Sequence, residues 1–150
     1  MDRASLTGLQ LMQAMLAGAS PPPAMATTLG FQLVSVEEGQ ALFSGEPSER
    51  YYNPMGMVHG GWPATLLDSC MGCAVQTSLP AGQAYTTLEF KIDLLRRIMA
   101  DTGTVFAEGR VVRVGRRVAV ADGVLRDTDG RQLARGSTTC LVFPLDGSTT

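Results

Sequence analysis

The apolar and polar positions along the chain predict an N-terminal helix, a hairpin, a long helix and four strands, in that order. Near the N-terminus, four apolar residues recur at helical spacing: Leu6, Leu9, Met12 and Leu16. This spacing predicts an amphipathic helix capped near Ser5, because a serine oxygen can accept the free N–H groups of a first turn. The sequence PPPA at 21–24 is expected to end this helix and to act as a stiff spacer.

A hairpin and a long helix follow the spacer. The runs GFQLVSV and ALFSG are joined by Glu37-Glu38-Gly39-Gln40, which is typical of two strands and a tight turn. From Gly61 to about Ser78, apolar residues recur at steps of three and four: Ala64, Leu67, Met71, Ala74 and Val75. Pro63 falls in the first turn of this predicted helix, where its missing N–H group costs nothing.

The C-terminal half changes to a strand pattern rich in Val, Thr, Leu and Phe. Four such runs are YTTLEFKIDLL, TVFAEGRVVRV, RVAVADGVLRD and LARGSTTCLVF. Turn signals at 101–103, 114–116 and 127–130 separate them, which predicts four strands in an antiparallel meander. One long helix and one sheet must cover each other's apolar faces, so the expected class is α+β, with the helix lying across a curled antiparallel sheet.

Composition and charge narrow the class of protein. A chain of 150 residues with 45% hydrophobic residues suits one globular domain. The net charge of -2 gives no bulk attraction to nucleic acid. No apolar run approaches the roughly 20 residues of a membrane span, so no membrane partner is expected and the predicted location is cytoplasmic.

The cysteines do not indicate a disulfide framework or a metal site. Their number is odd, and they are Cys70, Cys73 and Cys140. Cys70 and Cys73 have the spacing of a zinc half-site, but the chain offers only one histidine to complete it. The prediction is therefore that they are small buried residues on the long helix, with no metal bound.

The start of the long helix and one acid within it could carry chemistry. Free N–H groups at a helix N-terminus can stabilise a carbonyl oxygen as it becomes an oxyanion, and the Gly60-Gly61 pair leaves room for a substrate to approach. Asp68 interrupts the apolar helix and could attack a carbonyl or deprotonate water. Eight residues separate Gly60 from Asp68, which is about 12 Å of helix rise. An active site using both would therefore have to be shared between two copies of the chain.

The stretch NPMGMVHGGWPATLLDSCMGCAV resembles the hotdog-fold acyl-CoA thioesterases of the PaaI-like, or phenylacetate-pathway, family. The residues that carry the resemblance are Asn53, Gly56, His59, Gly60, Gly61 and Asp68, and it continues through TTLEFKIDLLR and residues 109–142. It implies a hotdog fold, in which a curled antiparallel sheet wraps around the long central helix, here with an extra N-terminal helix. It also implies hydrolysis of acyl-CoA thioesters to free acid and coenzyme A, which is part of the substrate, so that no cofactor is expected.

The resemblance also implies roles for individual residues. Asp68 would be the nucleophile or the general base, the Gly60 N–H would polarise the thioester carbonyl, and Asn53 and His59 would orient the carbonyl or the water. A hydroxyl residue early in the next strand assists in relatives; Thr87 is the matching position, with Thr86 the alternative. Gly61 and five arginines are the candidates for substrate and coenzyme binding: Arg96, Arg97, Arg113, Arg116 and Arg117. The family usually has Arg-Pro where this chain has Arg96-Arg97.

The expected organisation is an N-terminal helix and Pro-rich spacer at 1–25 and a hotdog thioesterase domain at 26–145, assembled as a homodimer or a dimer of dimers. The N-terminal helix could be a pocket lid, part of an interface, or neither. Two other functions stay open: a non-catalytic acyl-CoA-binding module and a hotdog acyl hydratase or dehydratase. The sequence does not identify the acyl group.

Overall fold

The computed structural model describes residues 3–145 and contains three helices and six strands in that range. The helices are α1 (Gly8–Leu16), α2 (Ala24–Leu29) and α3 (Gly61–Thr77). The strands are β1 (Phe31–Glu37), β2 (Gln40–Gly45), β3 (Gln83–Leu94), β4 (Val105–Val114), β5 (Val118–Asp127) and β6 (Gln132–Pro144). Short 3-10 turns lie at Arg3–Ser5, Glu49–Tyr51 and Ala100–Thr102. The predicted hairpin and the predicted long helix are therefore confirmed.

The six strands form one antiparallel sheet in the order β1-β2-β4-β5-β6-β3. This is the curled sheet around a long central helix that defines the hotdog fold. The predicted four-strand meander is wrong at its first step, because β3 pairs with β6 at the sheet edge and β4 pairs with β2. The end of β3 is held there because the N–H groups of Leu95 and Arg96 both donate to the carbonyl oxygen of Leu133. The segment between β3 and β4 therefore crosses the sheet.

Helix α3 packs on β2, β4 and β5 and forms the centre of the core. Leu67, Met71, Ala74 and Val75 are fully buried, as their spacing predicts. Three glycines face one another across β4, β5 and β6: Gly109, Gly123 and Gly136. A Cβ atom at Gly109 would overlap the backbone carbonyl of Cys70, so α3 lies directly on the sheet backbone at this row.

Replacing a glycine of this row by alanine is expected to destabilise the fold, and the loss should be larger where the new methyl group meets backbone atoms than where it meets a side chain. Gly109→Ala should lower the free energy of unfolding by about 1–3 kcal/mol, because backbone atoms of α3 would have to shift. Gly123→Ala is the matched control: its Cβ would lie 2.8 Å from Met71 Cγ and 3.1 Å from Leu67 Cδ2, which are side-chain atoms and yield more easily than the backbone of α3. Urea unfolding of both variants measures the difference, and equal losses would contradict a close backbone contact at Gly109.

The N-terminal helix exists, but it begins and ends elsewhere than predicted. Thr7 caps it instead of Ser5: Thr7 Oγ1 accepts the Gln10 N–H at 3.2 Å, and Gln10 Oε1 accepts the Thr7 N–H at 2.9 Å. The helix ends at Leu16 because Gly18 takes a left-handed conformation with a φ of 78°, so the proline segment is not what stops it. Helix α2 was not predicted, since six residues are too few to show a periodic pattern.

Helix α1 is fixed to α3 at its first residue. The Gly8 N–H donates to the carbonyl oxygen of Leu79 at 2.9 Å, and a Cβ atom at Gly8 would overlap the carbonyl of Gln76. Met12, one turn further along, is buried with 4% of its surface exposed. Within residues 3–145, no helix is both long enough and apolar enough to cross a membrane.

Candidate active site

The loop before α3 is shaped by Asn53. Its Oδ1 accepts the N–H groups of Met55 at 3.0 Å and Met57 at 3.3 Å, and its own N–H donates to the Met57 carbonyl at 2.8 Å. The side-chain oxygen of Asn53 therefore holds the loop closed. Its side-chain NH₂ group has no acceptor within residues 3–145 and is available to a substrate.

His59 is fixed at both its backbone and its ring. The His59 N–H donates to the Tyr51 carbonyl at 2.7 Å, and ring Nδ1 accepts the Gly61 N–H at 2.9 Å. Because Nδ1 accepts, the neutral imidazole carries its proton on Nε2 and can donate from there. The Gly61 N–H is occupied by this bond, so Gly61 does not offer its amide to a substrate.

Gly60 is the N-cap residue of α3, at the positive end of the helix dipole. Its N–H group has no acceptor among the described residues 3–145. It lines a cavity of about 260 Å³ together with Asn53, Leu94, Arg96 and Arg97. Of the two glycines at the start of α3, Gly60 is therefore the one whose amide can bind a carbonyl oxygen.

Asp68 lies two turns into α3 and is half-buried. Thr87, the fifth residue of β3, donates from Oγ1 to Asp68 Oδ1 at 2.9 Å. Thr86 is exposed and makes no such bond, since successive strand side chains point to opposite faces. The structure thus brings Thr87 and not Thr86 to the acid, and it leaves Asp68 Oδ2 without a protein partner in residues 3–145.

The hydrogen bond from Thr87 is expected to position the carboxylate. Thr87→Val keeps the shape of the side chain and removes the donor, so kcat for the hydrolysis that the resemblance implies should fall by roughly 10- to 100-fold. Thr87→Ser should keep most of the activity, and Thr86→Val should lose much less than Thr87→Val. Steady-state kinetics of the three variants measure this; equal losses in Thr86→Val and Thr87→Val would contradict the assignment.

Two further groups near Asp68 stay neutral. Burial, and then the nearby Asp68 carboxylate, raise the pKa of the Cys73 thiol to about 12. Burial likewise raises the pKa of the Tyr85 hydroxyl well above its usual value. At neutral pH the Cys73 thiol is protonated, which makes it a poor nucleophile and a poor metal ligand. In the part of the chain that the structure describes, no three His, Cys, Asp or Glu side chains come together as a metal site.

The predicted site residues fall into three places on a single chain. Asn53, Gly60, Arg96 and Arg97 line one cavity. Asp68 lines a different cavity of about 390 Å³. The remaining arginines, which are Arg113, Arg116 and Arg117, surround an open cavity of about 500 Å³ at the β4–β5 connection. One chain therefore does not bring Gly60 and Asp68 into the same cavity.

Other residues beside Asp68 were missed by the sequence analysis. The 390 Å³ cavity is walled by side chains from α1, α2, β1, β2 and β3: Leu16, Met25, Phe31, Leu33, Phe43 and Tyr85. The hairpin phenylalanines carry no signal that separates a cavity wall from a core position. Trp62 belongs to the core: it is 3% exposed and its Nε1 donates to the Leu29 carbonyl at 2.8 Å.

Comparison with known proteins assigns the family. The model of the Thioesterase superfamily matches residues 55–134, and the chain belongs to this superfamily. A 1,4-dihydroxy-2-naphthoyl-CoA hydrolase of Listeria monocytogenes is 28% identical over 93 residues, which cover 62% of this chain and 74% of that protein.

Similar solved structures agree with this family. A phenylacetic acid degradation-related protein of Ralstonia eutropha JMP134 is similar to this chain with 31% identity and a TM-score of 0.77, over 86% of this chain and 97% of that one. A Streptococcus mutans protein solved with bound acetyl-CoA has 28% identity and a TM-score of 0.69, over 77% of this chain and 90% of that one. The hotdog fold and the thioesterase superfamily that the resemblance implied are confirmed.

Proposed function

We propose that this protein hydrolyses acyl-CoA thioesters to a free acid and coenzyme A, as a member of the PaaI-like group. The observation that carries the proposal is the Asp68 carboxylate, with one oxygen bound by Thr87 and the other without a partner in residues 3–145, at a cavity whose walls are mostly apolar. Membership of the thioesterase superfamily supports it. The Listeria relative is named as an acyl-CoA hydrolase, and the Streptococcus mutans structure holds acetyl-CoA.

The reaction needs one attacking group and one group that stabilises negative charge. Asp68 either attacks the thioester carbon itself, giving a mixed anhydride that water then hydrolyses, or takes a proton from the attacking water. In both routes the carbonyl oxygen becomes an oxyanion, and the coenzyme A thiolate leaves as the carbonyl re-forms. The Gly60 N–H donates to that oxyanion, a contact worth about 100- to 1,000-fold in kcat.

The two groups meet when two copies of the chain pair along β3. This strand lies at the sheet edge and exposes Leu88 and Phe90 to solvent. Thr87, beside Asp68, and Leu94, beside Gly60, lie seven residues apart on β3, which is roughly 23 Å. When two β3 strands pair antiparallel about a twofold axis between them, the Thr87 end of one strand lies beside the Leu94 end of the other. Asp68 of one subunit then faces Gly60 of the partner subunit, and the dimer has two equivalent sites.

The remaining candidate residues bind and orient the substrate in this proposal. The Asn53 NH₂ group and His59 Nε2–H are donors for the thioester carbonyl or the water. Arg96 and Arg97 are exposed beside Gly60 and are placed to hold the coenzyme near the reacting carbon. Arg113, Arg116 and Arg117 form a cationic cluster suited to its phosphates. The assembly is a homodimer or a dimer of dimers.

A thiol-release assay over a panel of acyl-CoAs tests the proposal. We expect catalytic turnover that yields one thiol and one acid for each thioester consumed. Saturable binding of acyl-CoA without thiol release would instead identify a binding module. A change in enoyl absorbance without thiol release would identify a hydratase or dehydratase, and either result would overturn the proposed hydrolysis.

A further inference from the structure

Two cavities adjoin beside Asp68. The front cavity, of about 390 Å³, holds Asp68 and lies between α2, β1 and α3. The inner cavity, of about 440 Å³, lies under α1 and is lined by Leu11, Ala14, Gln76 and Leu145. Five residues line both cavities: Met15, Ser20, Pro23, Cys73 and Tyr85. We call these five shared residues the waist; Asp68 lines the front cavity and not the inner one.

The roof over this space is helix α1, and it is fixed in place. The bond from the Gly8 N–H to the Leu79 carbonyl and the buried Met12 side chain hold α1 on α3. At the waist, β3 packs closely on α3. A Cβ atom at Gly72 would overlap the Tyr85 hydroxyl, so the Tyr85 ring lies directly on α3. The size of the space is thus set by packed elements of the fold.

The walls are suited to an apolar ligand. Asp68 is the one charged residue among those that line the two cavities within residues 3–145. The thiol of Cys73 and the hydroxyl of Tyr85 are neutral, as described above. Methionine, leucine, phenylalanine, alanine and proline side chains together make up most of the remaining wall, and three glutamines and two serines also line it. An apolar group that leaves water for this space gains free energy with every methylene buried.

The shape favours a chain over a single ring. A cavity of about 150 Å³ already binds benzene, so one aromatic ring would leave much of the front cavity, and all of the inner one, unfilled. From Asp68 past Cys73 to Gln76, α3 rises about 12 Å over eight residues, and an extended alkyl chain of roughly ten carbons has the same length.

We infer that the acyl group of the substrate is a linear, apolar chain of about eight to twelve carbons that runs from Asp68 through the waist and under α1. Helix α1 then determines which chain length is hydrolysed fastest. This inference rests on the proposed thioesterase activity and adds the class of acyl group to it.

Substrate series on the wild-type protein test the chain length. We expect kcat/KM to rise by at least about 100-fold from butanoyl-CoA to decanoyl-CoA, at up to about fourfold for each buried methylene. Phenylacetyl-CoA should fall well below decanoyl-CoA. No hydrolysis of any acyl-CoA would overturn the proposed function. Hydrolysis with equal kcat/KM for butanoyl-, phenylacetyl- and decanoyl-CoA would overturn this inference and leave the function standing.

Filling the inner cavity tests the role of α1. Ala14→Phe places a ring in the inner cavity from α1, and Ala84→Leu enlarges a lining side chain from β3. Each is expected to lower kcat/KM for decanoyl-CoA at least tenfold and to leave butanoyl-CoA within about twofold, since a short chain stops in the front cavity. Gln13→Phe adds a ring to the exposed side of α1 and should leave kcat/KM unchanged for both substrates.

Thermal unfolding reports whether each variant is folded. A variant that keeps wild-type kcat/KM for decanoyl-CoA, or that loses both substrates equally while remaining folded, would overturn the assignment of the inner cavity. If either Ala14→Phe or Ala84→Leu fails to fold, the other still compares decanoyl-CoA with butanoyl-CoA, because the two residues lie on different walls of the inner cavity.

Discussion

Exchange of Asp68 for asparagine is expected to lower kcat for acyl-CoA hydrolysis by about 100- to 10,000-fold, with little change in stability. Asparagine keeps the size of the side chain and can still accept the Thr87 hydrogen bond, but it can neither attack a carbonyl nor take a proton. Asp68→Ala should lose at least as much. Thiol-release kinetics measure the loss, and urea unfolding shows whether the fold is intact.

Asp122→Asn is the matched control, because Asp122 is an exposed carboxylate on β5. We expect it to keep wild-type kcat. Full activity in both Asp68 variants would remove the acid from the mechanism. A large loss in Asp122→Asn would show that the assay responds to net charge or to folding instead of to the site.

Mixed dimers are expected to recover activity that neither parent has. Gly60→Pro is compatible with the backbone φ of -57° at this position and removes the N–H that would bind the oxyanion. In a heterodimer with Asp68→Ala, one site carries both defects and the other carries neither. Equal mixing should therefore give about a quarter of wild-type activity per subunit, since half of the dimers are mixed and each has one whole site.

The mixture is prepared by unfolding and refolding the two variants together, and each variant refolded alone is the control. Mass spectrometry of the intact dimer verifies that subunits have exchanged. Inactive mixtures with proven exchange would show that Gly60 and Asp68 of the same chain act together, and the pairing of β3 strands would then have to be abandoned.

The sequence predicts the elements well where periodicity is strong. Helix α3 has an apolar face at steps of three and four, and its observed bounds agree with the predicted ones. The position of β3 could not be predicted, because antiparallel strands with short turns favour neighbours in sequence. Its pairing with β6 depends on contacts far apart in the chain, such as that of Leu95 with Leu133.

The candidate site was predicted in part for the same reason. Asn53, His59, Gly60 and Asp68 stand in one short stretch: the predicted helix indicates Gly60 and Asp68, and the family resemblance adds Asn53 and His59. The choice between Thr86 and Thr87 depends on which face of β3 meets α3, and only the packed structure decides it. Phe31 and Tyr85 come from distant elements and reach the cavity only once α1 and the hairpin have docked.

The elements that cover the two cavities and the residues proposed to carry the chemistry come from different parts of the sequence. Helix α1, the spacer and α2 all precede residue 31, whereas Gly60, Asp68 and Thr87 all follow residue 59. In the proposed site, divergence within the first thirty residues would therefore alter which acids are released without changing the groups proposed to release them. Homologues that share the later segment and differ in the earlier one would form a set of enzymes with one chemistry and many preferences.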